Sequence, residues 1–536
     1  MKKRLVSIIL VLALTLSLVG CSQKNSTTNS GNGGNGGNGG NASSTGATSE
    51  GGSAGYYDGI DISKHADIYM YLVGVSVPTD LDKVMAKVNE KLEATLNATL
   101  HVEIIPLGEY STKYPLILSS GEDCDLIFTS SWLSFSENVK RNAFMELTKD
   151  FLDKYMPQTV KNQAPESWDE IAVDGKIYAV PRNHADFDSM YVLTIRKDLR
   201  EKYGLEPIKT FEDYENFLFT IAENEKDVYG LYSMNSWAPQ YYYFYIARNN
   251  MTSISDYFVW KYDADNTVDV NEVQYWFETP EYREYTLKMK EWAEKGVWPS
   301  NTIASSVFPT DQFSQGKSAS CLNNPAGMQS LIESTVRNGI VASPDDIEVV
   351  DIFPNRPTNR SAYSGDSIAI TTSSKNPERA AMVLDMLKND EELNLLLIGG
   401  IEGEHYILDK TDNTRSPGPA AENYPWDNYT WALRNNWNPK VKMYDQVKAL
   451  QANLESRDRG SWWPLSGFKF DNSNVSTQYS VINSLIQEYM FSFDLGVFGD
   501  KTEQKLDEFI KELKDAGLED LKAAYYQQLT DFLARK

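Results

Sequence analysis

Seventy-five carboxylates, four histidines and three cysteines are the groups in these 536 residues that could make or break bonds. Their spacing supports little chemistry. His65, His101, His184 and His405 stand far apart and no HExxH occurs, so no metal site is supported. GxSxG, a P-loop and a dinucleotide fingerprint are also missing, and no cofactor is expected. Glycoside hydrolysis needs only two carboxylates about 5–10 Å apart. With so many acids such a pair can always be nominated, so their number does not decide. DADNTVDVNEVQ (263–274) places Asp263, Asp265, Thr267 and Asp269 at positions 1, 3, 5 and 7 of a calcium loop. Val268 replaces the turn glycine and Gln274 the closing glutamate, so the stretch reads as a hairpin instead. Cys124 and Cys321 read as small apolar fillers; a bridge between them stays open outside the cytosol.

The formal net charge of −24 argues against nucleic acid, which needs clustered lysine and arginine. A mean hydropathy of −0.45 describes a water-soluble body, and the length suits two or three domains or lobes. The 12 Trp, 31 Tyr and 21 Phe must fill cores, and they leave a surplus for a recognition surface.

The elements that would position such a surface begin near residue 56. DIYMYLVG (67–74) alternates as a strand, and a helix follows with Leu81, Val84, Met85, Val88 and Leu92 on one face. TLHVEIIPL and DLIFTSSW are further strands, giving a β-α-β-α-β order and an α/β fold. WDEIAVDGKIYAVPR (168–182) reads as a hairpin about Asp174-Gly175. MYVLTIRKDLREKYG follows as a strand and then a helix. Thr210 with Asp213 opens one helix by a capping box. Thr279 and Pro280 open another, which carries Tyr282, Tyr285, Met289 and Trp292 on one face and ends at Gly296. Asn376-Pro377 repeats that grammar, and Gly517 splits a C-terminal helical pair. Strand and helix signals alternate to about residue 410, beyond which helix and loop are expected.

The N-terminus is a processing signal by composition. A basic start, Lys2-Lys3-Arg4, precedes an apolar run from Leu5 to Gly20, shorter than the roughly 20 residues that a membrane span needs. The run ends Leu18-Val19-Gly20-Cys21, which resembles the bacterial lipobox. That resemblance implies cleavage before Cys21 and acylation of it, two or more chains anchoring where one holds only marginally. Residues 22–55 are mostly Gly, Asn, Ser and Thr and form a flexible tether, on the order of 30 Å in average extent.

The order of segments resembles the bacterial extracellular solute-binding lipoproteins of ABC importers, family 1, mostly carbohydrate-binding, and within them the LipO-like branch. The stretches carrying the resemblance are LVGC, DLIFTSSW, GKIYAVPR with VLTIRKDL, KTFEDYENF, ETPEYREYTLKMKEWAEKG, FSQGKSAS, YSGDSIAIT, NPERAAMVLDMLKND, IGGIEGEHYIL, and LGVFGD before the last helices. Cys124 departs from the pattern, where a larger residue is more usual. The resemblance implies a two-lobed periplasmic-binding-protein-like fold of type II, with ligand between lobes joined by crossovers. The expected organisation is a signal peptide at 1–20, a lipidated tether at 21–55, one lobe from 56–183 and 366–420, and a second from 184–365 and 421–536. The implied partners are a small-molecule or oligosaccharide ligand, ABC permease subunits and a membrane reached through the lipid anchor. The chain is expected to be a monomer and not an enzyme, on the outer face of a Gram-positive cell membrane.

A sugar presents apolar ring faces and many hydroxyls, so flat aromatics beside amides, carboxylates or arginine are the side chains to seek where strands end or the chain crosses. Trp132 ends DLIFTSSW; Arg182, Asn183 and Asp186 follow at the first crossover; Trp237 lies among turn residues. Asn323 ends a buried strand, Tyr363 and Asp366 mark the return crossover, Glu402 follows two glycines, and Trp462 precedes Trp463-Pro464. Two other readings share these features: a lipid-anchored glycoside hydrolase, and a sensor or scaffold with no transporter.

Overall fold

A computed structural model of the chain describes residues 55, 57–184, 187–188, 192–233, 241–261, 268–305, 307–323, 325–354, 356, 359–360, 362–457, 465 and 468–535. The signal and all of the tether but Gly55 lie outside them, and the body from Ser53 to Lys536 is a single unit.

Two sheets organise the body. The first orders its strands β2 (Ala98–Pro106), β1 (Ala66–Gly74), β3 (Leu126–Thr129), β14 (Ser367–Ile370) and β4 (Val180–Pro181). β1 is parallel to β2 and β3, whereas β14 runs antiparallel between β3 and β4. Every residue of β3 and β14 is buried, as expected of strands covered on both faces. The second sheet orders β12 (Ile347–Asp351), β6 (Val192–Arg196), β11 (Ser318–Asn323) and β7 (Tyr229–Leu231). β11 is parallel to β7 and antiparallel to β6. Because β14 returns to the first sheet after the second is built, the chain has two lobes joined by crossovers, the type II arrangement.

Among the described residues, three connections join the lobes. The first leaves β4 for β6 and the second leaves β12 for β14. They pair on the way as a ribbon of β5 (Phe187–Asp188) and β13 (Asn359–Arg360). The third runs from β17 (Lys440–Val441) to the Asp445–Ser456 helix, and the Tyr444 amide donates to Gln329 Oε1 at 2.9 Å.

The aromatic surplus goes largely into the second lobe. Trp260, Trp276, Trp292, Tyr214, Tyr245, Tyr282, Tyr285 and Tyr525 are all fully buried there. The helices Ser476–Asp494, Thr502–Asp515 and Leu518–Leu533 close that core, with Tyr525 stacked on Phe258 at 3.6 Å between centroids. Gly517 joins the last two at φ +93°, and a Cβ there would stand 2.6 Å from Gln478 Cγ.

Local grammar produced the expected helices. Thr210 Oγ1 accepts from the Asp213 amide and the Asp213 side chain accepts from Thr210, while Thr279 accepts from Tyr282. Asn376 differs: its side chain makes no cap bond, and Pro377 alone begins the helix. The 168–182 hairpin is also corrected. Its turn at Asp174-Gly175 forms, with φ +51° and +76°, but its first arm is the end of the Pro165–Ile171 helix. Pro165 at the first helical position favours that outcome.

Beyond 410 the chain holds two strands that periodicity did not reveal, β16 (Thr414–Pro417) and β17, which form a sheet with β15 (Tyr406–Asp409). Residues 421–433, expected in the second lobe, pack on the first. Tyr424, Tyr429, Ala432 and Leu433 lie in its core, and Gly74 at the end of β1 admits Tyr429. A Cβ on Gly74 would stand 2.5 Å from Tyr429 Cβ. The 263–274 segment is bracketed by β9 (Phe258–Lys261) and β10 (Gln274–Tyr275), which pair antiparallel; β8 (Met251–Ser253) completes that sheet. Cys124 and Cys321 are buried and unbridged, and burial pushes both thiols up to about 12.

Candidate functional site

Ligands of α/β lobes bind beyond the carboxyl ends of strands. At that edge of the first lobe, three residues past β3, stands Trp132, 45% exposed. Its indole N–H donates to Gly365 O at 2.8 Å, and Ser130 Oγ donates to the same carbonyl. Tyr110 meets it edge-on at 5.9 Å and Phe128 lies at 5.8 Å. Its ring is thus fixed in orientation while about half of its surface faces solvent, the condition for stacking on an apolar ring face. Val75 and Val77, just past β1, are exposed as well.

Trp431 was missed by sequence reasoning. It lies in a short turn with no hydrophobic periodicity, half-buried, edge-on to Phe128 at 6.0 Å, with its N–H on Asp427 O at 2.9 Å. Phe128 therefore carries an indole at each of two contacts. The only sequence signal was the tryptophan itself, between Thr430 and Ala432.

The structure brings Trp132, Arg182, Tyr363 and Asp366 together, but their roles separate. Arg182 Nη1 bonds Asp366 Oδ2 at 2.6 Å, and the Arg182 amide donates to Asp366 O at 2.9 Å. Both residues are buried, so each meets the other's charge and the pair staples the first crossover to the second. Tyr363 is buried; its amide donates to Glu170 Oε2 at 2.7 Å and its hydroxyl reaches Glu166 Oε1 at 3.4 Å. Burial raises the Glu170 carboxyl above its ordinary value. Asn183 is a seam residue: Nδ2 donates to Asn162 O at 2.9 Å, Oδ1 accepts from Ala164 at 3.1 Å, and its backbone bridges to Asn435.

Asn323 ends β11 on the other lobe, half-buried, so close to the following helix that a Cβ on Gly327 would lie 2.9 Å from its Nδ2. Glu402 is exposed in the turn before β15, where its backbone bridges to Tyr406. Cys21, Asp186, Trp237, Trp462 and the calcium-loop residues Asp263, Asp265 and Thr267 lie outside the described residues. Asp269, the last of that loop set, caps a short turn by accepting from Asn271 at 2.8 Å.

Among the described residues one cluster has metal-ligand types: Asp80, Glu404 and His405. Its hydrogen bonds give it another role. The Ile401 amide donates to His405 Nδ1 at 2.9 Å, so the ring proton sits on Nε2 and donates to Asp80 Oδ2 at 3.1 Å. Nε2 then has no lone pair for a cation. Lys83 pairs with Glu404 and lies 3.8 Å from Asp80, offsetting one of the two carboxylate charges.

The family described as bacterial extracellular solute-binding protein matches residues 77–393, more than half of the chain, and a domain of unknown function (DUF3502) matches 464–534. A carbohydrate ABC transporter substrate-binding protein of Streptococcus pneumoniae serotype 4 is 24% identical over 482 residues, 88% of this chain and 91% of that one. The melibiose/raffinose/stachyose-binding protein MelE of Bacillus subtilis is 26% identical over 149 residues, 27% of this chain and 31% of its own. Among solved structures, the N-glycan transport solute-binding protein NgtS of Streptococcus pneumoniae with Man1GlcNAc superposes with a TM-score of 0.70 at 22% identity, covering 88% of this chain and 100% of that one. The FusA substrate-binding protein of the same species with kestose gives 0.61 at 16%, covering 88% and 100%. The family match runs from β2 through β14 and takes in both crossovers that carry β5 and β13, and this chain belongs to the bacterial extracellular solute-binding proteins.

Proposed function

We propose that this protein is the solute-capturing component of an ABC importer and that its solute is an oligosaccharide, held between the lobes and handed to a permease without bond making or breaking. The observation that carries the reading is Trp132: a half-exposed indole, locked by its N–H, at the carboxyl edge of the first sheet. Asn323 offers an amide from the facing lobe, and Asp186, Trp237 and Trp462 complete the proposed contact set. The sugar-binding names of the similar proteins support the same solute class.

In this reading the chain works as a monomer on the outer face of a Gram-positive cell membrane. Residues 1–20 are removed, Cys21 carries acyl chains and 21–55 is the tether. Lobe closure around solute gives the permease a state it can tell from the empty one.

Calorimetric titration of the protein with a panel of neutral oligosaccharides and a panel of oligopeptides tests this. At least one oligosaccharide binds, and it is recovered intact after prolonged incubation. Binding of peptides alone refutes the solute class, and cleavage of any panel member refutes a pure binding role.

A further inference from the structure

Residues 468–471 belong to no helix or strand, and their side chains alternate between the lobes. Phe468 and Phe470 pack into the second lobe, each about 5 Å from the Tyr525 ring, at 5.3 and 5.1 Å. Gln528 clamps the same backbone twice: its Oε1 accepts from the Asp471 amide and its Nε2 donates to Asp471 O, both at 2.8 Å. The intervening side chains reach the first lobe. Lys469 Nζ donates to Ala172 O at 2.8 Å and to Glu170 O at 3.4 Å. Those carbonyls end the Pro165–Ile171 helix, where unsatisfied C=O groups attract a cation. Asp471 Oδ1 accepts from Lys140 Nζ at 3.0 Å, at the end of the Phe135–Lys140 helix.

The receiving helix matters. Through Glu170 and Glu166 it also holds Tyr363 of the second crossover. Two residues on, Gly365 O fixes the Trp132 indole. One short helix therefore touches both the C-terminal segment and the connection that orients the exposed tryptophan.

We propose that residues 468–471 are a fourth tie between the lobes, a strap bolted to the C-terminal helices, and that Lys469 and Asp471 are positioning residues which set the cleft width at Trp132. The strap supplies no ligand contact. It stabilises one relative placement of the lobes by two polar contacts that opening would break, and it gives the C-terminal segment a part in closure. Its consequence for affinity rests on the solute-binding reading, but the tie itself is a property of the protein alone.

The test therefore needs no ligand. Nitroxides are placed at Lys87→Cys and Lys511→Cys, both exposed and one per lobe, in the full chain with Cys21→Ser; Cys124 and Cys321 are buried. Pulsed electron paramagnetic resonance then reports the distribution of lobe separations. The unmodified strap gives a population at the separation of this structure. Lys469→Met with Asp471→Asn reduces that population by about three- to tenfold, the range for losing partly exposed charged hydrogen bonds. Lys469→Arg retains it. Lys140→Ala removes one of the two contacts from the opposite lobe and gives a partial loss even if the strap variants fail to fold. Identical distributions with and without the strap contacts overturn the proposal, as does the lack of that population in the unmodified strap. Failure here leaves sugar binding standing, and failure of sugar binding leaves the strap standing.

Discussion

Replacing Lys388 by methionine should change how stability depends on pH. Lys388 lies near the end of the Pro377–Asn389 helix and is 2% exposed. Its ammonium donates to Pro181 O at 2.8 Å, at the start of the first connection, and to Ala432 O at 3.3 Å. Among the described residues no carboxylate forms an ion pair with it, and burial pushes its pKa down to about 7. Against an ordinary lysine near 10.4, that gap of roughly three units corresponds to about 5 kcal/mol of penalty on the charged folded form. The sign follows from proton counting. Between about pH 7 and pH 10 the unfolded chain holds a proton that the folded chain has released, so this group's contribution to stability rises with pH. Below pH 7 both states hold it and the penalty is complete and constant. Methionine has no such titration; it leaves two carbonyls without this donor, at about 1–3 kcal/mol each, independent of pH. Urea unfolding of both proteins at pH 6 and pH 9 isolates the effect. The stability of Lys388 protein relative to Lys388→Met should grow by about 3 kcal/mol over that interval. A difference that stays constant with pH would refute the reasoning.

Asp494 gives the opposite slope. It is buried with Tyr285 donating to Oδ1 at 2.7 Å, and burial lifts its pKa to about 7. Its stabilising protonation is complete below about pH 4 and is lost as pH rises through 7, so Asp494→Asn should be more stable by about 4 kcal/mol at pH 8 and equal near pH 4, by urea unfolding. Arg182→Met strands a buried Asp366 and should cost about 3–5 kcal/mol in the same assay. Adding Asp366→Leu should restore most of that loss, because the pair is removed together.

What the sequence made legible was local or periodic. Thr210-Asp213 and Thr279-Pro280 need only their own turn of helix, and both caps formed where expected. The strand after each early helix followed from apolar alternation, and Trp132 followed from its place after a strand. What escaped depends on contacts distant in the chain. Arg182 and Asp366 are 184 residues apart, and neither residue type reveals that they pair with each other. Tyr429 joins the first core because Gly74 leaves room for it, a fact about another strand. β16 ends in proline and its first three residues are all of intermediate burial, so no alternating pattern marks it. Trp431 sits in a turn whose position is set by β14 and Phe128 rather than by its neighbours.

The central claim is that a sugar ring lies on Trp132, and titration of the protein and of Trp132→Ala with the tightest-binding oligosaccharide tests it most directly. Loss of a stacked aromatic is worth about 1–1.5 kcal/mol, so Kd should rise by about tenfold. Trp132→Phe should recover much of the loss. An unchanged Kd in Trp132→Ala would contradict the account.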